Sequence, residues 1–276
     1  MKIGVTGTRG VLGRRIAGAL AAHHDQVVPY PGDVRDRDAL FQWAAGLDAL
    51  VHAAAVVPLT VVHRDIPAAV AVNVLGTALV ATAAAHTSTG HITYISTSHV
   101  YQGSRAPVSE DHCLQPASPY GLSKWQGEQW VQNITDRHLI VRVFSYFASN
   151  QQESFLVPSL AKRIAGAPPN AVLELNNPRA LRDIADADWM AAICARFIHD
   201  QEKGVINCGT GNGYSVLEIA DTLRECLGRS DCQWQSGTDH TDGLVADTSR
   251  LRARLTPFPA FSLPQALARF VQERSQ

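Results

Sequence analysis

Tyr120 and Lys124 stand four positions apart in the stretch SPYGLSKWQGE and are the residues best suited to chemistry in this sequence. On a helix, this spacing stacks both side chains on one face. A lysine ammonium within a few ångström favours the phenolate and so lowers a tyrosine pKa from its ordinary value near ~10. Such a tyrosine can give or take the proton of a carbinol while a hydride moves. The pair therefore predicts acid–base chemistry, although an amphipathic helix with a surface lysine has the same spacing.

Three glycines near the start of the chain predict a site for a dinucleotide. Gly7, Gly10 and Gly13 lie in TGTRGVLG, between the strand-like KIGVTG and the amphipathic pattern VLGRRIAGALAAHH. Glycine permits a tight turn and a close approach of the backbone to a pyrophosphate, and the following helix N-terminus offers free N–H groups. A plain strand-to-helix turn is the simpler alternative.

Strand-like and helical patterns alternate through the first half of the chain. Strands are predicted at 2–6, 26–30, 48–52, 91–96 and 138–143, with helices at 11–23, 36–46, 66–86 and 119–134. This alternation predicts an α/β fold with a doubly wound parallel sheet. We expect a Rossmann domain over 1–149, to which 181–210 returns, and a smaller C-terminal substrate-binding lobe over 150–276.

The composition excludes several classes of protein. The 276 residues carry a net charge of -1, which gives no reason to expect binding to nucleic acid or to an acidic membrane. The five cysteines are scattered without a Cys/His cluster, so no metal site or disulfide framework is expected. We expect neither a leader nor an apolar stretch approaching eighteen residues. A cytoplasmic protein that binds no membrane is therefore expected.

In order and spacing, these motifs resemble the extended short-chain dehydrogenase/reductase family of NAD(P)-dependent sugar epimerases, dehydratases and ketoreductases. The resemblance starts with the glycine loop and SPYGLSK and continues through GDVRD, ALVHAAAVVP, NVLGT, ITYISTSHVY, RVFSYF, LRDIADAD and GVINCGTG. It implies that Asp33 and Val34 contact the adenine and that Ala53 and Ala54, within the motif H-x-A-A, border the cofactor. It also implies that Asn73 lies at the cofactor site and braces the active-site strand.

The same resemblance assigns the catalytic hydroxyl to Thr97, alongside Tyr120 and Lys124. It also implies that Tyr120 and Lys124 contact the cofactor, with Lys124 binding the nicotinamide ribose. The alternative is a hydroxyl that bonds its own backbone at a strand end. The 4,6-dehydratases carry Asp-Glu after this threonine, whereas this sequence has Ser98 and His99. Without that carboxylate pair, dehydration is disfavoured, and Ser98 and His99 are expected to line the substrate.

The cofactor is predicted to be NADP, with NAD as the alternative. The second strand ends in PYPG, with no acid to accept the 2′-hydroxyl of an NAD ribose. Arg9, within the glycine loop, could pair with a 2′-phosphate, as could Arg35. The alternative is that Arg9 is a solvated loop residue.

The substrate is expected to be a small molecule, and a nucleotide sugar is favoured. In the resembling enzymes, Arg182 of LRDI grips the nucleotide diphosphate; an ordinary ion pair with Asp183 or Asp186 is the alternative. Ser145 stands where the family has an asparagine that touches phosphate, and SGTDHTDGLVAD lacks the arginine usual before Asp247. A nucleotide sugar held differently, or a smaller ketone or polyol, therefore remains open.

Three functions are compatible with these residues. A 4-ketoreductase that transfers hydride from NADPH to a sugar ketone is favoured. A nucleotide-sugar 4-epimerase would use the same groups, and a non-catalytic NADP-sensing regulator on the same fold is the alternative from another class. The helices over 66–86 and 119–134, with exposed-looking Trp125 and Trp130, are compatible with a homodimer, as in the resembling enzymes; packing within one chain is the alternative.

Overall fold

The computed structural model describes residues 1–57, 59–88, 90–238 and 243–274, and divides the chain into two compact units. The first unit comprises Met1–Gln102, Glu110–Val143 and Met190–Cys208. The second comprises Gly103–Ser109, Phe144–Trp189 and Gly209–Gln276. These compact units do not coincide with the bounds expected for the two domains, and the assignment of a cofactor domain and a substrate lobe stays a prediction.

Thirteen strands are assigned within the described residues. In chain order they are β1 (Lys2–Thr6), β2 (Gln26–Pro29), β3 (Ala49–His52), β4 (His91–Thr97), β5 (His138–Val143), β6 (Ser145–Phe147), β7 (Val172–Leu175), β8 (Leu181–Arg182), β9 (Ile184–Asp186), β10 (Gly204–Cys208), β11 (Tyr214–Ser215), β12 (Gln233–Ser236) and β13 (Gly243–Leu244).

The described residues also contain eleven α-helices. They are α1 (Val11–Ala22), α2 (Arg37–Ala44), α3 (Leu59–Arg64), α4 (Ile66–Val70), α5 (Thr77–Ala85), α6 (Pro119–Ile134), α7 (Leu156–Ala165), α8 (Ala187–His199), α9 (Val216–Cys226), α10 (Ser249–Arg254) and α11 (Leu263–Arg274).

A six-stranded parallel sheet forms the centre of the first unit, in the order β10-β5-β4-β3-β1-β2. Every residue of β3 and β4 is buried, as expected for apolar strands covered on both faces. The strand order reverses between β1 and β3, where sheets of this type bind their ligands. The predicted doubly wound parallel sheet is thus confirmed.

Helix α6 begins and ends at the predicted residues, 119 and 134. Its N-terminus is fixed by Ser118, whose hydroxyl accepts a hydrogen bond from the backbone N–H of Gly121 at 3.1 Å, and by Pro119 in the first turn. Because these caps set where the helix starts, they also set which of its residues face the sheet.

The prediction that no apolar stretch approaches eighteen residues was wrong. Helix α4, the π-helical turn Ala71–Gly76 and α5 follow one another without a break, and Ile66–Ala85 is long and apolar enough to cross a membrane. A helix that packs in a protein core has the same composition, so this alone is weak evidence for a membrane span. The expected helix over 66–86 is also interrupted by the π-helical turn.

The second unit contains short strands in three small sheets: β11-β8-β13, β12-β7 and β6-β9. Its hydrophobic core is drawn largely from α7, α9 and α11, including Leu160, Leu223 and Leu267. Helix α9 starts with a capping box formed by Ser215 and Glu218.

Candidate active site

The glycine turn after β1 is closed so tightly that side chains would not fit. Gly7 has φ 78°, and an added Cβ would lie 2.5 Å from the backbone nitrogen of Ala54, two residues after β3. A Cβ on Gly13 would overlap the carbonyl oxygen of Gly7. Gly10, the residue before α1, has no side chain to cap the first N–H groups of that helix. The turn and these N–H groups therefore fit the pyrophosphate of a dinucleotide.

The residues expected at the adenine end are organised around Asp33. The exposed Arg35 side chain binds its carboxylate with two nitrogens, at 3.0 Å from Nε and 2.6 Å from Nη2, and thereby lowers the pKa of Asp33 to about 2. Val34 is buried, and an added Cβ on Gly76 would lie 2.6 Å from one of its methyl groups. Arg35 is thus already paired with a carboxylate, whereas Arg9 is exposed in the glycine turn.

The end of β2 offers no acid to a ribose. Tyr30, which follows the strand, is buried against Trp43 with ring centroids 4.8 Å apart. Its hydroxyl donates to the backbone oxygen of Asp33 at 3.1 Å. Pro29 and Pro31 on either side are exposed.

Asn73 lies on the π-helical turn and is fully buried. Its oxygen accepts from the backbone N–H of Val56 at 2.8 Å, and its nitrogen donates to the Val56 oxygen at 3.1 Å and to Ser123 Oγ at 3.0 Å. It was expected to brace the active-site strand; its contacts instead join the loop after β3 to helix α6. This position follows from the π-helical turn, which sequence periodicity did not indicate.

The candidate hydroxyl and the candidate acid lie on adjoining elements. Thr97 ends β4 and is buried, and its Oγ1 accepts the backbone N–H of His99 at 3.2 Å. The exposed His99 ring meets the Tyr120 ring edge-on, with centroids 5.9 Å apart. An added Cβ on Gly121 would overlap the His99 carbonyl oxygen, so glycine allows the start of α6 to rest directly on the end of β4. Ser98 lies buried between Thr97 and His99.

Lys124 is buried on the same helix, one turn after Tyr120. Its Nζ lies 4.0 Å from the centroid of the Tyr94 ring, on β4. Burial lowers the pKa of Lys124 from its ordinary value to about 7, while the charge of Glu128 acts in the opposite direction. The lysine therefore changes its charge near neutral pH.

A buried network beside this pair was missed by sequence reasoning. Arg142 Nη2 contacts Glu128 Oε2 at 2.7 Å, and Nε contacts Oε1 at 3.0 Å. Arg142 Nη1 donates to the hydroxyl of Tyr101 at 2.9 Å, and Tyr101 donates to Asn207 at 2.7 Å. This network ties α6 to β5 and β10. An acid one helical turn after Lys124 was the available signal, but on sequence it could equally be a solvated surface residue.

The residues expected to bind substrate in the second unit are partly buried. The backbone N–H of Ser145 donates to the oxygen of Asp183 at 3.0 Å, and Arg182 Nη1 donates to the oxygen of Leu181 at 2.8 Å. The buried Asp183 carboxylate accepts from the backbone N–H groups of Thr210, Gly211 and Ala246. Asp183 thus holds the loop after β10 beside Arg182. The substrate-binding roles of Ser145 and Arg182 stay predictions.

A sequence model described as the RmlD substrate binding domain matches residues 1–245. The chain belongs to this family. It is part of the extended short-chain dehydrogenases/reductases, so the resemblance inferred from the motifs is confirmed. No group of three or more His, Cys, Asp or Glu side chains that could hold a metal ion is found in the part of the chain that the structure describes.

Relatives of this family member include reductases and epimerases. The chain is 30% identical over 241 residues to the GDP-6-deoxy-D-mannose reductase of Pseudomonas aeruginosa, covering 80% of this chain and 78% of the relative. The structure of RMD from P. aeruginosa in complex with NADPH matches it with a TM-score of 0.87 and 25% identity, over 99% of both chains. The UDP-glucose 4-epimerase of Rhizobium meliloti is 25% identical, covering 88% of this chain and 84% of the relative.

Proposed function

We propose that this chain reduces the keto group of a nucleotide-activated sugar with NADPH. The observation that carries this proposal is the position of Tyr120 and the buried Lys124 one turn apart on α6, directly against the end of β4 that bears Thr97. The family to which the chain belongs, with sugar reductases among the relatives, supports the same chemistry.

The proposed catalytic roles follow from the chemistry of three side chains. Tyr120 gives its proton to the oxygen of the sugar ketone, and Thr97 holds that oxygen with its hydroxyl. Lys124 in its charged form favours the phenolate that Tyr120 becomes. With its pyrophosphate held at the glycine turn, NADPH would supply the hydride from its nicotinamide ring. Lys124 and Tyr120 are both buried, and an electrostatic interaction between buried groups is screened little by water.

A preference for NADPH over NADH is proposed from the end of β2. The strand end has no carboxylate for a ribose 2′-hydroxyl, and Arg9 is exposed in the glycine turn with its guanidinium suited to a 2′-phosphate. The similar P. aeruginosa structure holds NADPH. NAD is the alternative cofactor. The proposed cofactor site is formed by Gly7, Gly10, Gly13, Ala53 and Ala54. Asp33 and Val34 are proposed to contact the adenine, and Asn73 is proposed to lie at the same site.

The nucleotide sugar itself is proposed from the relatives and from the predicted substrate residues. Ser98 and His99 are assigned to the sugar because they follow Thr97, and Ser145 and Arg182 to the nucleotide part. A panel of UDP-, GDP-, dTDP- and CDP-keto-sugars, followed by NADPH absorbance, tests this assignment. Oxidation of NADPH with at least one of them is expected; no oxidation with any would contradict the proposal.

A nucleotide-sugar 4-epimerase is the second candidate, favoured by the similarity to UDP-glucose 4-epimerases. An epimerase would be purified with tightly bound cofactor that does not exchange and would consume none overall, whereas a reductase consumes NADPH in proportion to product. A regulator that only senses NADP is disfavoured because such a protein has no need for Tyr120 and Lys124 together.

A homodimer is proposed from an apolar surface on the helices of the first unit. Its exposed large side chains are Leu59, Val61, Ile66, Val70, Leu75, Leu122 and Trp130. Trp125, expected to be exposed as well, is instead partly buried. Sedimentation should give twice the mass of one chain, and Leu122→Glu should shift the protein to monomer.

All five cysteines are free, which supports the proposed cytoplasmic location.

A further inference from the structure

Tyr94 occupies an unusual place beneath the candidate active site. It lies near the middle of β4, three residues before Thr97, and is fully buried. Burial raises the pKa of Tyr94 well above its usual value, so the ring stays uncharged at working pH. In the sheet register, Tyr94 is paired with His52 on β3, and His52 is paired with Thr6 on β1.

His52 supports the ring of Tyr94 from the neighbouring strand. The two rings stack with centroids 5.6 Å apart, and the imidazole is held by Thr6 Oγ1 at 2.7 Å and Thr77 Oγ1 at 3.0 Å. Burial lowers the pKa of His52 to about 3, so this histidine adds no positive charge beside Lys124. The stack therefore presents a neutral aromatic face to helix α6.

Helix α6 is shaped to receive this face. Gly127 follows Lys124 by three residues, and an added Cβ there would overlap the Tyr94 hydroxyl and lie 2.8 Å from Cζ. The Lys124 Nζ rests 4.0 Å from the ring centroid, within the range of a cation–π contact. The Tyr94 hydroxyl lies 3.4 Å from the Lys124 backbone oxygen.

We propose that Tyr94 is a positioning residue, whose ring fixes the Lys124 ammonium on the face of α6 that carries Tyr120 and favours its protonated form. The catalytic use of the Lys124 charge rests on the proposed function, whereas the effect of Tyr94 on that charge does not. The ionisable groups that interact with the charge of Lys124 are Glu128 on its own helix and His52 on β3, while Glu128 and Tyr120 act on Tyr94 itself. Glu128 is bound to Arg142, and the Tyr94 ring is a close contact of the ammonium.

The ring and the hydroxyl of Tyr94 can be separated by two substitutions. Tyr94→Phe keeps the aromatic face and should leave the Lys124 pKa within a few tenths of a unit of the wild type. Tyr94→Leu removes the face, and we expect the Lys124 pKa to fall by about one unit because a desolvated cation–π contact is lost.

Lysine titration by NMR measures this directly and needs no substrate. The chain has four lysines, so in protein labelled with ¹³C-lysine the Lys124 signal is the one missing from Lys124→Met. A lower Lys124 pKa in Tyr94→Leu but not in Tyr94→Phe supports the inference, and an equal Lys124 pKa in Tyr94→Leu and wild type overturns it. Failure of the wild type to oxidise NADPH with any sugar would instead overturn the proposed function alone.

A second variant covers the case in which Tyr94→Leu does not fold. Gly127→Ala places a methyl group against the Tyr94 hydroxyl and must displace the ring, so the Lys124 pKa should again fall. Combining Gly127→Ala with Tyr94→Phe removes the hydroxyl from that overlap, so the Lys124 pKa should return part of the way to its wild-type value. A Lys124 pKa unchanged in Gly127→Ala would contradict the proposed role of the ring.

Discussion

Lys124 and Arg142 are two buried cations in the same unit, and their surroundings differ in a way that separates structure from chemistry. Arg142 holds both oxygens of Glu128 and also bonds Tyr101 and the backbone oxygen of Glu110, so its pKa is raised and its charge is permanent. Lys124 rests on an aromatic ring, and burial lowers its pKa to about 7. A buried cation with a full set of acceptors holds elements together, whereas one on a neutral surface can respond to a ligand.

We expect the largest loss of activity at Tyr120, whose phenolate the Lys124 charge is proposed to stabilise. Tyr120→Phe removes the proton donor while keeping the ring against His99, so kcat should fall by on the order of 10²–10⁴-fold. Steady-state NADPH oxidation measures this, and NADPH affinity, measured separately by fluorescence, should change little. Near wild-type turnover in this variant would refute the role of Tyr120.

Breaking the Arg142 pair should affect folding before it affects chemistry. Arg142→Met leaves the buried Glu128 carboxylate without its counter-ion, and we expect the free energy of unfolding to fall by about 3–5 kcal/mol. Denaturant unfolding measures the change. Arg196→Met, at an exposed pair with Asp200, is the matched control and should change stability by less than about 1 kcal/mol. Equal effects of the two substitutions would remove the distinction drawn here.

Removing the Lys124 charge should change the free energy of unfolding in the opposite direction. Lys124→Met relieves the cost of burying an ammonium, so the variant should be more stable by about 1–4 kcal/mol near neutral pH while losing activity. Lys203→Met, at an exposed lysine just before β10, is the control; it should change stability by less than about 1 kcal/mol and leave activity unchanged.

The pH dependence of that gain follows from the lowered pKa. Below pH 7 the lysine is protonated in both folded and unfolded chains, so the burial cost is complete. Between the folded pKa of about 7 and the ordinary value of 10.5, the unfolded chain binds more protons, and wild-type stability rises relative to the variant. Unfolding curves at several pH values should show the two proteins converging as pH increases. A constant difference would contradict the lowered pKa.

The smallest expected effect concerns the choice of cofactor. Arg9→Ser should lower the preference for NADPH over NADH by on the order of tenfold, because a charged contact to the 2′-phosphate is lost. The ratio of kcat/KM for the two cofactors measures it, and NADH turnover itself should change little. Equal or better wild-type turnover with NADH than with NADPH would contradict the proposed preference at once.

The sequence predicted the parallel sheet and helix α6 well because their signals are local. Apolar runs define β3 and β4, and Ser118 with Pro119 fixes the start of α6. The π-helical turn around Asn73 was not predictable, since its apolar residues fit an unbroken helix as well. The partners of Arg142 and the place of Tyr94 depend on contacts between residues distant in sequence, which periodicity does not report.

The central claim is that this chain transfers hydride to a sugar ketone, with Tyr120 and Lys124 as its acid–base pair. NADPH deuterated at its transferable hydrogen, incubated with the keto-sugar that the panel identifies, tests it most directly. We expect the wild type to form product with one deuterium on the newly reduced carbon, and Tyr120→Phe to form almost none. Product without deuterium at that carbon, or equal product from Tyr120→Phe, would contradict it.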